Sequence, residues 1–210
     1  MSTTAIVLSF IRYSDTGSIL HLYTADNGRM QYVVYGNKFK ALLQPLSVIE
    51  ITTNRRNNAP NQMPVVSSVE PLSYTITDSG VNFEHAIEHR FSPFTFHPVK
   101  QCIAMFIAEL LTYTLRHPMA DPPLFTWLLQ MIYRLEHQDD VRNLHCDFLM
   151  DFATFMGFGV DEQEHPEWFV VPATRQQRQQ RLRQLLAYFR ENVEELPSLK
   201  SLDVLIEVFD

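Results

Sequence analysis

At 210 residues, 46% of them apolar, the chain is long enough for one compact domain or two small ones around a real core. No apolar run approaches the roughly 20 residues of a membrane helix. The opening MSTTAIVLSFIRYSD has neither the basic region nor the small-residue cleavage site of a signal peptide, so a soluble cytoplasmic protein is expected. The net charge of −7 argues against attraction of the whole molecule to a polyanion, but it is unevenly spread. Residues 1–80 hold six Lys or Arg against five acids and the remainder eleven against nineteen, so the first part can hold a polyanion locally.

In chain order, TAIVLSFIRY, SILHLYT, RMQYVVYG, LSVIEITT and PVVSSVEPL are alternating or β-branched runs that read as five strands. They are separated by Ser14-Asp15-Thr16-Gly17, Asp26-Asn27-Gly28 and the Asn-rich stretch Asn54 to Gln62. Five short strands in so few residues predict a small barrel. Near residue 80 the period becomes helical. Val99, Cys102, Ile103, Phe106, Ile107, Leu110 and Leu111 recur every three or four residues between Pro98 and Pro118. Pro122 and Pro123 open a second helix through Leu135, a third runs from about Val141 to Met156 before Gly157, Thr174 caps a fourth, and Leu202 to Phe209 form a short fifth. The fold class is α+β, with a five-stranded barrel over residues 1–80 and a helical bundle over 81–210.

Catalytic signatures are scarce. His85-Ala86-Ile87-Glu88-His89 has the inverted zincin spacing, with two histidines on one helix face, but Gly80 and Ser92-Pro93 box the segment in and no third ligand is marked by its context. A solvated helix face is the plainer reading. There is no G-x-S-x-G, P-loop or G-x-G-x-x-G, and only six glycines to build such loops. Cys102 and Cys146 lie far apart inside helical patterns and read as small buried hydrophobes. No enzyme, metal or cofactor is expected. The run Arg175-Gln-Gln-Arg-Gln-Gln-Arg-Leu-Arg is either a solvated helix face or a grip for phosphate or carboxylate.

AIVLSFIRYSDTGSILHLYTADNGRMQYVVYG followed by LLQPLSVIEIT resembles the start of the RecO family of bacterial recombination mediators. Arg12, Thr24, Gly28, Gly36 and Leu43-Gln44-Pro45 stand where that family has a basic strand end, a strand ending in Thr, a Gly corner, a strand ending in Gly, and Leu-Gln-Pro. FATFMGFGVD resembles its Leu-Gly-Phe helix end, and LPSLKSLDVLIEVF the C-terminus found in the Bacteroides group. The resemblance implies an N-terminal OB-fold and a helical domain. It also implies a non-enzymatic role in DNA repair: binding single- and double-stranded DNA, annealing strands coated by single-strand-binding protein, and loading RecA with RecR. It further implies recognition of the acidic, apolar C-terminal tail of single-strand-binding protein and a cytoplasmic, nucleoid-associated location. Two departures are visible. Many members carry four zinc-binding cysteines after the Gly-Phe helix end, but GFGVDEQEHPEWFVVP has none, so zinc is not expected and the segment is held by Trp168 and Phe169 or left mobile. NKFKALLQP is shorter and less basic than the corresponding family loop.

OB-folds hold single strands with cations along a groove and aromatics that stack bases. Arg12, Arg29, Tyr32, Lys38, Phe39, Lys40, Arg55 and Arg56 are the expected DNA contacts, against the alternative that aromatics are simply favoured in strands. For the acidic tail, an apolar groove rimmed by Arg116, Arg134 and Arg142 is expected, with Arg175 and Arg178 as further partner contacts. The rival reading is a protein adaptor of the same architecture with little DNA binding. If Asn27-Gly28 forms a two-residue turn, Asp26 faces Arg29, Leu22 pairs with Val33 and Leu20 with Tyr35 in the core, and Tyr23 pairs with Tyr32 outside.

Overall fold

The computed structural model describes residues 2–54, 63–77, 80–83, 89–92 and 97–209. The five expected strands form: β1 (Ser2–Arg12), β2 (Gly17–Thr24), β3 (Gly28–Tyr35), β4 (Val48–Thr53) and β5 (Val66–Pro71), ordered β3-β2-β1-β4-β5 with antiparallel neighbours. A bridge from Val33 to Val65, with the Val33 N–H donating to the Pro64 carbonyl at 2.9 Å, brings β3 against β5 and curls the sheet into an OB-like barrel. A second small sheet escapes the sequence reading: β6 (Ser73–Thr77), β7 (Gly80–Asn82) and β8 (His89–Arg90), ordered β7-β6-β8. Five helices follow, α1 (Pro98–Thr114), α2 (Pro122–His137), α3 (Leu144–Phe155), α4 (Arg175–Asn192) and α5 (Ser201–Val208).

Strand β1 is buried on both faces. Ala5 and Val7 point into the barrel with Leu20, Leu22, Ile49 and Ile51, while Ile6 and Leu8 point into the helical core with Tyr23, Val48, Ile103 and Phe106. A bulge then resets the alternation, so that Phe10 packs against the barrel core. Val7 pairs with Leu22 and Ser9 with His21, so Leu8 is the extra residue, turned toward the helices. That explains why AIVL is a continuous apolar run, since a strand with water on one face would alternate.

The helices start where their chemistry allows. Asp121 accepts the Leu124 N–H at 3.0 Å ahead of Pro122 and Pro123, and Thr174 and Gln177 form a capping box on α4. Helix α5 has no cap of its own. Glu109, across on α1, accepts the N–H groups of Lys200 and Ser201 at 2.9 and 2.8 Å, tying α5 to α1. Inside, Trp127, Phe148, Phe152 and Phe189 form a stacked series with neighbouring rings 5.3–6.2 Å apart. Both cysteines are free thiols, Cys102 half-buried and Cys146 buried, and burial pushes the Cys146 thiol up to about 12.

The β2–β3 corner corrects the expected register. Its loop has three residues, 25–27, so Thr24 pairs with Gly28, Leu20 with Tyr32 and Gly17 with Tyr35. The Thr24 hydroxyl accepts the Asn27 N–H at 3.2 Å and donates to the Gly28 carbonyl at 2.9 Å, closing the loop, and Gly28 takes the left-handed conformation (φ +65°) that such loops require. The slip exchanges the two tyrosines: Tyr32 is 5% exposed and in the barrel core, Tyr35 55% exposed.

That corner abuts the α1–α2 link, where a Cβ on Gly28 would run into the Met119 carbonyl. Gly28→Ala therefore combines backbone strain with a backbone clash, and a loss of about 2–3 kcal/mol is expected, read in a melt as a Tm lower by roughly 5–10 °C. His145 supplies a pH test. It is 2% exposed, stacked on Phe209 at 5.3 Å, and its Nδ1 has no partner. Burial, with the positive fields of Arg178 and Arg181, pushes its pKa down to about 4. Because the unfolded imidazole protonates near 6.5 and the folded one does not, the contribution is intact above pH 6.5 and lost as pH falls towards 4, by about 3 kcal/mol. Melting from pH 7.5 to 4.5 should show a shallower decline in His145→Leu than in the unsubstituted protein.

Candidate nucleic-acid and partner interfaces

At the end of the barrel formed by the β1–β2 turn, the backbone gathers two exposed tyrosines. The N–H groups of Tyr13 and Ser14 both donate to the Gly17 carbonyl, at 3.1 and 3.0 Å, and the Gly36 N–H donates to Thr16 at 2.7 Å. The Tyr13 ring lies 3.2 Å from the place a Cβ on Gly17 would take, and Gly17 is the register partner of Tyr35. The bare glycine thus lets Tyr13, 62% exposed, flank the same strand position as Tyr35. Exposed Ile11 adjoins them on β1, paired with Ile19.

Cations lie close to both tyrosines in the chain. Arg12 is largely exposed, its guanidinium donating to the carbonyls of Ser14 and Asp15 at 3.2 and 3.3 Å, which stiffens the turn carrying Tyr13. Lys38 and Lys40 are exposed in the β3–β4 connection, with the Lys38 ammonium 5.1 Å from the Phe39 ring centre. Phe39 is half-buried against the barrel core, so it anchors that connection.

Two of the expected DNA contacts are spent elsewhere. Tyr32 fills the barrel, and burial raises its hydroxyl pKa. Arg29 turns towards the helices, where its Nη1 donates to the Thr112 carbonyl of α1 at 2.6 Å; it clasps barrel to bundle. Arg55 and Arg56 lie outside the described residues. Tyr13 was missed, although its place beside Arg12 at the mouth of a Ser-Asp-Thr-Gly turn was a readable signal.

The helical arginines divide likewise. Arg116 donates to the carbonyls of Tyr113, Glu194 and Glu195 at 2.8–3.1 Å, closing the end of α1 against the α4–α5 link. Arg134 is exposed beside a small cleft with Trp127, Asp147 and Asp151. Arg142 instead meets Arg178 in a groove of about 760 Å³ between the start of α1, the α2–α3 turn, α4 and the end of α5. The groove is apolar along Val99, Val141, Val208 and Phe209 and cationic at Lys100, Arg142 and Arg178. Asp139 and Asp140 also line it, and Asp140 is held by Arg142 through contacts of 2.9 and 2.6 Å, which keep its carboxyl far below the usual range. Arg178 is half-buried and its Nε has no acceptor. Arg175 lies in an adjoining cleft with Arg178 and Phe209. The groove therefore unites Arg142 with Arg178 and leaves Arg116 and Arg134 outside, correcting the expected trio.

His85 and Glu88 lie outside the described residues, and His89 is in strand β8, stacked on Tyr74 at 5.4 Å, where a helix face was expected. Among the described residues no group of three or more His, Cys, Asp and Glu is arranged to hold a metal. Trp168 is buried under a parallel His165 ring 4.0 Å away, with Tyr188 edge-on at 5.7 Å, so packing holds the 157–173 segment, while Phe169 is 41% exposed. No helix among the described residues is long and apolar enough to cross a membrane.

Comparison with known proteins agrees with this architecture. Residues 1–74 match the family model for the recombination protein O N terminal, and residues 97–167 that for its C terminal. A DNA repair protein RecO from Phocaeicola vulgatus is 31% identical over 174 residues, covering 79% of this chain and 64% of that relative, just under two thirds of its length. The RecO of Bacteroides fragilis is 27% identical over 259 aligned positions, covering 99% of this chain and 98% of the relative, and that of Porphyromonas gingivalis 26% over 257, covering 98% of each. Both alignments are longer than the chain itself, so these relatives carry insertions that it lacks. With both ends of the family pattern matched in order on a barrel followed by helices, the chain belongs to the RecO family of DNA repair proteins.

Proposed function

We propose that this chain is a recombination mediator that holds single-stranded DNA on the barrel end and docks a partner's acidic, apolar tail in the helical groove, with no catalytic step. The observation that carries the DNA reading is the pair of exposed tyrosines, Tyr13 and Tyr35, at Gly17, with exposed Arg12 next to Tyr13 and exposed Lys38 and Lys40 in the connection that follows Tyr35. Stacking needs a free aromatic face and backbone capture needs nearby cations, and this end of the barrel supplies both. The tail reading draws on Arg178, whose Nε has no acceptor, beside the apolar floor of Val99, Val141 and Phe209, since a carboxylate-bearing apolar peptide needs an apolar floor with a cation at its rim. The division near residue 80, into a part that holds the strand and a part that docks the partner, belongs to the same reading. So do annealing, duplex binding, recombinase loading with RecR, and a nucleoid-associated place in the cytoplasm. A strand held by phosphates and a few stacked bases keeps its other base edges free for a complement.

Titration of a fluorescent (dT)20 against salt tests the first half. Binding should weaken steeply as salt rises, and Lys38→Ala with Lys40→Ala should lower the slope of log K against log salt by about 1.4. Tyr13→Ala and Tyr35→Ala should each cost about 1–3 kcal/mol of affinity while leaving the slope nearly unchanged. No binding at low salt would favour the adaptor reading. For the groove, Arg178→Ala should weaken a synthetic acidic-apolar peptide roughly tenfold or more, as loss of a charge-assisted contact does, and Arg134→Ala should leave it unchanged. Equal effects of the two substitutions would place the peptide elsewhere.

A further inference from the structure

Helix α4 carries the densest cationic stretch of the chain. Between Glu167 and Glu191 there are five arginines and no acid, in a molecule with a net charge of −7. Arg181 turns inward to Asp147 at 3.4 Å and the Met150 sulfur at 2.8 Å, and Arg178 faces the groove already described. Gln176, Gln180, Arg183, Ala187 and Arg190 recur at steps of three and four, all exposed, and so form one edge of the helix about 20 Å long. Among the described residues neither Arg183 nor Arg190 has an ion-pair partner.

Gln180 belongs to that edge and also to the wall of a cavity of about 370 Å³ between α4 and the 167–173 segment. On the helix side the wall is Gln177, Gln180, Gln184 and Arg181; opposite are Val170 and Val171, both exposed, above Trp168. The cavity thus offers apolar walls and the side-chain amides of Gln180 and Gln184, which both donate and accept, and this suits the polar edge of a base together with its apolar faces. The one acid of the lining, Glu167, lies 3.8 Å from His165.

We propose that the arginine edge of α4 and the amide-lined cavity beside it form a second contact for single-stranded nucleic acid, with phosphates on Arg183 and Arg190 and one unstacked base in the cavity. This rests on the reading of the barrel end as a strand-holding surface and gives the protein a place, on the helical part of the fold, for a second strand or for the continuation of the first.

The chain has two tryptophans, so in Trp127→Phe the remaining one, Trp168, reports on the cavity. Unlabelled (dT)20 is expected to quench Trp168 fluorescence, while an abasic oligonucleotide of equal length binds without quenching. Arg183→Gln with Arg190→Gln should shift the quenching titration about tenfold at low salt and reduce the salt slope by about 1.4. Both arginines are exposed, so the pair can also be compared by salt slope in the chain that keeps Trp127, should Trp127→Phe fail to fold. Anisotropy of labelled (dT)20 separates the outcomes. Binding without quenching, quenching equal with abasic DNA, or no effect of the arginine pair would overturn the α4 site and leave the barrel site standing. An absence of binding at low salt would overturn both.

Discussion

The fold hangs on the middle of one strand, Ala5 to Leu8, having no wet face. In a free-standing barrel β1 would alternate apolar and polar residues, but here Ala5, Ile6, Val7 and Leu8 are all buried, alternate residues serving alternate cores. Ile6, Val7 and Leu8 each contribute roughly 1.5–3 kcal/mol of burial and the Ala5 methyl about 0.8 kcal/mol. β1 is therefore a shared wall, and barrel and helices are coupled through it. The remaining contacts between them follow from that docking: Arg29 on the Thr112 carbonyl, Gly28 under Met119, and Tyr23 against Phe125 at 5.9 Å.

The same coupling decides which cations remain available. A guanidinium beside a helix end finds free carbonyls there, and Arg29 and Arg116 are both absorbed in this way. Arg142 is absorbed by a neighbouring carboxylate instead. Exposed cations with no ion-pair partner among the described residues, such as Lys38, Lys40, Arg183 and Arg190, stay solvated. In an acidic protein this sorting matters more than the total charge, because a ligand meets only the surface that the fold has left uncommitted.

Much of this was legible in the sequence, and the failures have physical reasons. The five strands and five helices follow from apolar period, prolines and caps, which are local. The Asn27-Gly28 pair was misread because that dipeptide favours a two-residue turn, whereas here Gly28 supplies the left-handed residue of a longer loop closed by the Thr24 hydroxyl. A slip of three positions, an odd number, moved Tyr32 inside and Tyr35 outside. Strands β7 and β8 have three and two residues, too few to show a period. The fates of Arg29 and Arg116 rest on partners 83 and 78 residues away, which no local pattern reveals.

Burial of β1 on both sides also has a consequence in time. Ala5 and Val7 find their barrel partners within the next few dozen residues, but Ile6 and Leu8 wait for α1, whose first residue is Pro98. At a synthesis rate of roughly 5–20 residues per second, the outer face of the finished barrel stays uncovered on the ribosome for several seconds. The nascent chain must pass through a state with an apolar sheet face open to water, and the interval is set by the distance in sequence between β5 and α1.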